Sequence, residues 1–283
     1  MISLLLAAAL EFTAQDARLA YEKAGELVER FTPRDAGTPR CGVYAANFIL
    51  DAASATGADV RRDQFTAQTP RGLKRFTNLS AEFKSAGPEA KWIVLLSHND
   101  TKAGCGCPGA NDGASTTGLL IGFANAFSNW KEPRGNLMLI WTDGEECMES
   151  SGENDGLWGS KRAAEILAGT DRKIGAVICL DMIGDKDLNI TIPANGSKVL
   201  ARYIIKAAEK AGYPNLVKTV PLHVKDDHLA FWQKGIPAVD LIDFDYGPDN
   251  SWWHTPEDTM DKVSEESLLK CGRIIAEFIN IVL

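Results

Sequence analysis

The first part of the chain changes from a helical to an alternating pattern of hydrophobic residues. Residues 14–31 and 43–55 repeat apolar side chains every three or four positions, which predicts two amphipathic helices. Residues 59–67 and 73–83 alternate apolar and polar side chains, as strands with one covered face do. The turn-forming segment 69–72 lies between them. The pattern therefore predicts an antiparallel hairpin at the edge of a sheet.

From residue 92 onward, short apolar runs alternate with segments of helical spacing. The apolar runs have the composition of strands covered on both faces and comprise residues 92–96, 137–141, 174–180 and 238–242. The helical segments comprise residues 118–127, 157–167, 202–211 and 267–282. Such alternation is typical of α/β proteins. We therefore expect a mixed, mostly parallel central sheet with helices on both faces. No repeat or linker divides residues 15–283, which predicts a single domain.

The composition limits the partners of this domain. With 283 residues, of which 45% are hydrophobic, the chain can bury a sizeable core. Its formal net charge is -8 and it has no block of Lys or Arg, so neither a nucleic acid nor an anionic membrane is an expected partner. We expect a small-molecule or peptide substrate. A monomer is favoured, although the sequence leaves the oligomeric state open.

Residues 2–10 form an apolar run that is too short to span a bilayer. Such a run fits the core of a secretory signal, and the alanines at residues 7–9 and at Ala14 suit a signal peptidase. No positive charge precedes the run, so an uncleaved first helix stays open as the alternative. We predict a signal segment over residues 1–14 and export to the periplasm or the medium, with a cytoplasmic location not excluded.

Acidic and histidine residues follow the predicted strands at the point where each strand ends. The candidates are His98, Asp112, Glu145, Glu146, Asp181 and His254. In an open α/β sheet the loops at the carboxyl ends of the strands meet in one crevice. Taken singly, an Asp would be a helix cap and a His a structural residue. Taken together, the set predicts a metal site. Its nitrogen and oxygen donors favour a borderline divalent ion such as zinc.

Short motifs in the same places resemble the M28 metallopeptidase superfamily. They are His-Asn-Asp at 98–100, Gly-Ala-Asn-Asp at 109–112, Asp-Gly-Glu-Glu at 143–146, Leu-Trp-Gly-Ser at 157–160, Leu-Asp-Met-Ile-Gly at 180–184 and His-Thr-Pro-Glu-Asp-Thr at 254–259. The resemblance covers nearly the whole chain. It implies a single-domain zinc-aminopeptidase-like fold over residues 15–283.

The resemblance also implies a role for each candidate. Asp112, Glu146 and His254 would form one metal site. His98 and Asp181 would complete a second site that shares Asp112. The remaining two carboxylates would act beside the metal: Glu145 as the general base, and Asp100 as the group that orients the His98 ring.

Two chemistries occur in this superfamily. The aminopeptidases use two zinc ions to activate water, whereas the glutaminyl cyclases keep one zinc ion and close an N-terminal glutamine into pyroglutamate with release of ammonia. Segments 37–39, 65–78 and 226–237 resemble the cyclases. Asp226 stands where peptidases commonly carry Ser, and Trp253 matches an aromatic residue that shapes the cyclase pocket.

We therefore predict a glutaminyl-peptide cyclotransferase that acts on peptide N-termini with one zinc ion, two being the alternative. Glu145 would move a proton, Asp181 and Asp226 would hold the site through hydrogen bonds, and Trp253 and Asp226 would contact substrate. A two-zinc aminopeptidase is the main alternative. A peptide-binding module without catalysis is a remote one, because binding alone does not require a base such as Glu145.

Two features depart from the cyclase pattern. Ser151 aligns with a second pocket tryptophan of the animal cyclases. The pair Cys105 and Cys107 could form a local disulfide, join two separate disulfides or supply soft ligands. Of these, we expect a disulfide to another loop cysteine such as Cys147. The acidic residues that we expect in a solvated loop are Glu149, Glu153 and Asp155.

Overall fold

The computed structural model describes residues 9–85, 87, 89–150, 152 and 154–283. The described helices are α1 Ala14–Phe31, α2 Ala46–Ser54, α3 Thr116–Ser128, α4 Trp158–Ala168, α5 Lys198–Lys210, α6 His228–Gln233 and α7 Glu265–Val282. The strands are β1 Asp59–Thr69, β2 Gly72–Phe83, β3 Trp92–His98, β4 Asn136–Thr142, β5 Ile174–Asp181, β6 Ile190–Pro193, β7 Val217–Val220 and β8 Ala238–Ile242. Short π-helical turns at Arg40–Ala45 and Ala110–Ser115 precede α2 and α3.

The strands form one mixed sheet in the order β1-β2-β4-β3-β5-β8-β6-β7. The four inner strands β4, β3, β5 and β8 are mutually parallel, which brings their carboxyl ends to the same edge. The β1–β2 hairpin is antiparallel and joins β4 at one side of the sheet, as predicted. On the other side β6 pairs antiparallel with β8, and β7 forms the outer edge.

Helices cover both faces of the sheet. Because successive side chains of a strand point to opposite faces, Leu95 belongs to the large core on the face of α1, α3, α5 and α7. Its neighbours Val94 and Leu96 belong to the smaller core on the face of α4 and α6. The inner strands are buried on both faces, which explains their almost continuous apolar composition.

Helix α1 begins after Thr13, which caps it together with Asp16. The Thr13 hydroxyl accepts the Asp16 N–H at 3.3 Å, and the Asp16 carboxylate accepts the Thr13 N–H at 2.8 Å, a reciprocal capping box. Residues 1–8 of the predicted signal segment lie outside the described residues. Leu10 and Phe12 are buried in the large core. Signal cleavage and export stay predictions.

The structure confirms the predicted α/β fold and most of its elements. The sequence pattern did not indicate β6 and β7, which are only four residues long. Half of the residues in β7, Lys218 and Thr219, have exposed side chains at successive positions. This edge strand therefore shows no alternation of apolar and polar residues. The predicted helix over residues 43–55 is in fact the π-helical turn followed by α2. Among the described residues, no helix combines the length and the apolar character that crossing a membrane requires.

Candidate metal centre and active site

The parallel strands deliver the predicted residues to one rim. His98 is the last residue of β3, and Asp181 is the last residue of β5. Glu145 and Glu146 lie in the loop that follows β4, and His254 lies in the loop that follows β8. Because β4, β3, β5 and β8 are parallel, their carboxyl ends bring these residues to one edge of the sheet.

Three of the candidates form a compact group of donor atoms. His254 Nε2 lies 2.7 Å from Glu146 Oε1 and 3.2 Å from Asp112 Oδ2. These donor atoms all lie within 4.8 Å of one another, close enough to hold one ion between them. One imidazole nitrogen and two carboxylate oxygens suit a borderline divalent cation.

A second group shares Asp112. His98 Nε2 lies 3.1 Å from Asp112 Oδ1 and 3.2 Å from Asp181 Oδ1. The two carboxylate oxygens of Asp112 therefore face different groups, as a bridging ligand requires. Both groups consist of residues predicted from the sequence.

Asp100 organises the site in a way that differs from the expectation. The Asp100 backbone carbonyl, 3.1 Å from His98 Nδ1, orients the ring, whereas the carboxylate Oδ1 is 3.7 Å away. Since a carbonyl only accepts, Nδ1 carries a hydrogen, and Nε2 is the ring nitrogen that faces the site; without a proton of its own it offers a lone pair to an ion. The Asp100 carboxylate instead accepts the backbone N–H groups of Glu145 and Glu146, each at 3.2 Å.

The sequence analysis missed Asp258, which shapes the loop that carries Asp112. Its carboxylate accepts the N–H groups of Asn111 and Asp112 at 2.7 and 3.2 Å, and the Tyr246 hydroxyl donates to it at 2.7 Å. Gly113 follows with a φ of 96°, where a Cβ would lie 3.0 Å from the His98 ring. Only the place of Asp258 within the 254–259 motif hinted at this function.

Burial and excess negative charge shift the protonation of the site. Burial and the nearby Asp112 carboxylate raise the pKa of Glu146 to about 7. Burial lowers the pKa of His254, but the hydrogen bonds with Asp112 and Glu146 outweigh it and raise this pKa to about 10. Burial and Glu146 raise the pKa of Glu145 well above its ordinary value. A site of this kind attracts a cation, and Glu145 holds a proton more readily than an ordinary carboxyl group does.

A cleft of about 590 Å³ opens over the candidate metal ligands, and its lining includes Glu145, Asp226 and Trp253. This volume falls within the range for small-ligand sites. The Trp253 ring stacks on the His254 ring with centroids 3.9 Å apart and meets the edge of Phe244 at 4.8 Å. Trp253 thus forms a wall of the cleft. Ser151, which aligns with the second pocket tryptophan of the animal cyclases, lies outside the described residues.

Asp226 lies in the lining of the same cleft but is almost wholly buried, with 2% of its surface exposed. Its Oδ1 accepts the Asp227 N–H and lies 3.5 Å from Cys179 Sγ. Burial and the Asp181 carboxylate raise the pKa of Asp226 to about 6. Glu145, Asp181 and Asp226 are therefore acidic groups that line one cleft.

The comparison with known families agrees with this geometry. The model of peptidase family M28 matches residues 78–279, which is more than half of the chain. The chain belongs to peptidase family M28. All the metal-binding candidates of both groups lie within the matched range.

The known proteins to which this M28 chain is similar include glutaminyl cyclases. The crystal structure of an Acidobacteriales bacterium glutaminyl cyclase superposes with a TM-score of 0.89 at 33% identity, covering 100% of this chain and 98% of that one. A leucine aminopeptidase precursor from Bacteroides thetaiotaomicron shares the fold, with a TM-score of 0.84 at 24% identity over 97% of this chain and 99% of that one. A Bos taurus glutaminyl-peptide cyclotransferase-like protein is 28% identical over 256 residues, or 79% of this chain. The chain spans 65% of the length of that relative and of its Mus musculus counterpart.

The disulfide prediction for this M28 chain was wrong. Cys105 pairs with Cys107, while Cys147 is a free thiol. Gly106 adopts a φ of 67°, which only glycine takes up readily, and the turn brings the two Cα atoms to 5.3 Å. The thiol of Cys147 instead faces the Lys102 ammonium at 2.6 Å.

The expectation that Asp155 is solvated was also wrong. Its carboxylate is buried and accepts the backbone N–H groups of Met148, Glu149 and Ser150 at 2.7, 2.8 and 2.9 Å. Asp155 thereby holds the loop that follows Glu146. The side chain of Glu149 is exposed as expected, and Glu153 lies outside the described residues.

Proposed function

We propose that this chain is a zinc-dependent glutaminyl-peptide cyclotransferase, which converts an N-terminal glutamine to pyroglutamate and releases ammonia. The observation that carries the proposal is the position of three acidic residues, Glu145, Asp181 and Asp226, in one cleft beside a complete group of metal donors. The named activity of the similar Acidobacteriales protein supports it.

The donor set fits a single zinc ion held by Asp112, Glu146 and His254. These residues supply one nitrogen and two oxygen atoms, and the cleft leaves a side of the group open to substrate. When bound, the ion would polarise the γ-amide carbonyl of the glutamine. Asp100 and Asp258 fix the ligand loops through the N–H groups that they accept.

Glu145 is the residue that moves the proton. Cyclisation forms a bond between the α-amine nitrogen and the γ-amide carbon, and it breaks the bond from that carbon to the amide nitrogen. Glu145 takes the proton that the α-amine loses and gives it to the leaving amide nitrogen, which departs as ammonia. Burial and the neighbouring Glu146 raise its pKa well above the ordinary value, so it accepts a proton more readily than an exposed carboxylate does.

Asp181, Asp226 and Trp253 position the substrate in this proposal. Asp181 and Asp226 present coupled carboxyl groups beside Glu145, suited to accept hydrogen bonds from the amine and the amide. Trp253 offers an apolar wall to the side chain of the glutamine. Orientation of the α-amine against the amide carbon is the main requirement of an intramolecular reaction.

A two-metal aminopeptidase is the second candidate, because the group of His98, Asp112 and Asp181 is complete as well. In that case both ions would activate water against the first peptide bond. In the one-ion proposal, His98 and Asp181 lie beside the bound zinc without holding an ion of their own. The count of metal ions per chain separates the two.

The decisive experiment combines products and metal content. Purified protein with one zinc ion per chain, incubated with a Gln-peptide and a Leu-peptide, should release ammonia from the first and leave the second intact in a mass spectrum. Release of free leucine by protein holding two ions would refute the cyclase proposal and favour the peptidase.

Glu145→Gln tests the proposed base. Its rate should fall by about 10²- to 10⁴-fold with zinc still bound, because the proton carrier is lost. Glu132→Gln, which changes an exposed carboxyl group in the loop between α3 and β4, is the matched control and should keep the wild-type rate. Unchanged turnover of Glu145→Gln would show that Glu145 is not the proton carrier, whereas no turnover of either peptide by the wild type would favour a module that binds peptides without catalysis. Export and a monomeric state remain predictions within this proposal.

A further inference from the structure

A buried carboxyl group without an assigned function lies next to Asp226. Asp240 is in β8 and pairs with Cys179 of β5 in the register of the sheet. A carboxylate oxygen of Asp240, the Cys179 sulfur and a carboxylate oxygen of Asp226 all lie within 4.8 Å of one another. Asp240 is 1% exposed and Asp226 is 2% exposed, so water screens neither group.

The hydrogen bonding of this cluster is incomplete. Within the part of the chain that the structure describes, neither oxygen of Asp240 has a hydrogen-bond partner, and Asp226 Oδ2 has none either. Buried acceptors without donors are strongly unfavourable. One proton shared between the two carboxyl groups turns an acceptor into a donor and satisfies an oxygen on each residue.

Among the described residues, no cation faces Asp240 to stabilise a second negative charge there. His228, on α6, is the closest basic group, with Nδ1 4.0 Å from Asp240 Oδ2. Burial lowers the pKa of His228 to about 4, so its ring is neutral at pH 7. The other titratable groups facing Asp240 are acidic or thiol groups, from β5 and from the segment before α6: Cys179, Asp181, Asp226 and Asp227. Two adjacent buried carboxylates cannot both ionise in such surroundings.

We infer that Asp240 is a positioning residue for Asp226: its protonated carboxyl group donates a hydrogen bond to Asp226 Oδ2 from behind the active site. This inference rests on the proposed function, in which Asp226 contacts the substrate. The bond fixes the plane of the Asp226 carboxyl group relative to Glu145 and Asp181. Burial and the Asp226 carboxylate, which raise the pKa of Asp240 well above its ordinary value, agree with this state.

Two substitutions test the role of the donor. Asp240→Leu removes the donor and keeps a side chain branched at Cγ, and its kcat for the Gln-peptide should fall by about 10- to 100-fold, with KM and zinc content little changed. Asp240→Asn restores a neutral donor of the same shape and should recover most of this loss. Val239→Ala, one residue earlier in β8 and on its opposite face, is the control for destabilisation alone and should keep the wild-type kcat. Equal kcat values for Asp240→Leu and the wild type would overturn the inference.

Infrared spectroscopy tests the proton itself without any turnover. The spectrum of the wild type minus that of Asp240→Asn should contain the carbonyl band of one protonated carboxyl group, and the same subtraction with Val239→Ala should not. Absence of that band would overturn the inference even if the enzyme is a cyclase. If the wild type releases no ammonia, the proposed function fails, while the infrared result still decides the state of Asp240. Loss of a metal ion on Asp240→Asn would also overturn the inference, since an ion on Cys179, Asp226 and Asp240 would take the place of the proton.

Discussion

Removal of the metal should leave a protein whose stability falls as the pH rises. Glu146 is 4% exposed, and its pKa rises from an ordinary value of 4.5 to about 7 through burial and the Asp112 carboxylate. A carboxyl group with a folded pKa above its unfolded pKa destabilises the fold once it ionises. This effect is absent below pH 4.5 and complete above pH 7. One pKa unit corresponds to about 1.4 kcal/mol, so the effect of Glu146 is about 3 kcal/mol.

His254 extends the decline to higher pH. Its pKa is raised from 6.5 to about 10, so the stability that it contributes is present below pH 6.5 and lost as the pH rises through 10. The pKa of Asp112 is lowered, and its contribution is therefore lost only in acid, below its ordinary value of 3.8. A bound divalent ion should counter the decline, because it binds the deprotonated forms of these ligands.

Urea denaturation followed by tryptophan fluorescence measures this effect. Chelator-treated wild-type protein should lose free energy of unfolding from pH 4.5 to pH 7, and Glu146→Gln should lose about 3 kcal/mol less over the same range. Glu149→Gln, an exposed carboxyl on the same loop, should behave as the wild type. The same decline in Glu146→Gln and in the wild type would refute the reasoning, and so would a wild-type stability that rises over this range.

Three further predictions concern the cleft and the loops around it. Trp253→Ala should raise KM for a Gln-peptide about tenfold in steady-state kinetics, because the aromatic wall is lost, whereas Trp253→Phe should retain a KM near the wild-type value. Asp155→Ala should cost about 1–3 kcal/mol in urea denaturation, since the N–H groups of residues 148–150 lose their buried acceptor; a cost no larger than that of Glu149→Ala would contradict this. Cys105→Ser should lower the free energy of unfolding by only about 1–2 kcal/mol, because the disulfide joins residues with a sequence separation of 2; a larger loss would show a further function of the loop.

The inner strands could be predicted from the sequence because they are buried on both faces. The observed β8 has the predicted bounds, and β3 and β5 differ from their predictions only by polar residues at the carboxyl end. These added residues include His98 and Asp181, which belong to the metal groups. The apolar pattern therefore ends where the functional residues begin, and this is why the rim of the sheet could be found.

Groups that act through backbone hydrogen bonds could not be predicted in the same way. Asp155 and Asp258 each accept N–H groups from a loop, and an aspartate with this function has the same local sequence as a solvated one. Asp240 lies within an apolar strand, yet its sequence does not reveal that it faces Asp226 across the sheet. Such contacts depend on which strands become neighbours, and local periodicity does not predict the order of strands in a mixed sheet.

The metal count depends on what balances the charge of Asp181 and Asp112. Burial lowers the pKa of His98, but hydrogen bonds with Asp100, Asp112 and Asp181 outweigh it and raise this pKa well above its ordinary value. With Nδ1 donating to the Asp100 carbonyl, the added proton is carried by Nε2, between the two carboxylates. A protonated His98 would place one positive charge between these two carboxylates, whose charge a second metal ion would otherwise balance. A site with one zinc ion and an imidazolium at His98 keeps Asp181 available to the substrate, as the cyclase proposal requires, whereas a second ion would occupy it.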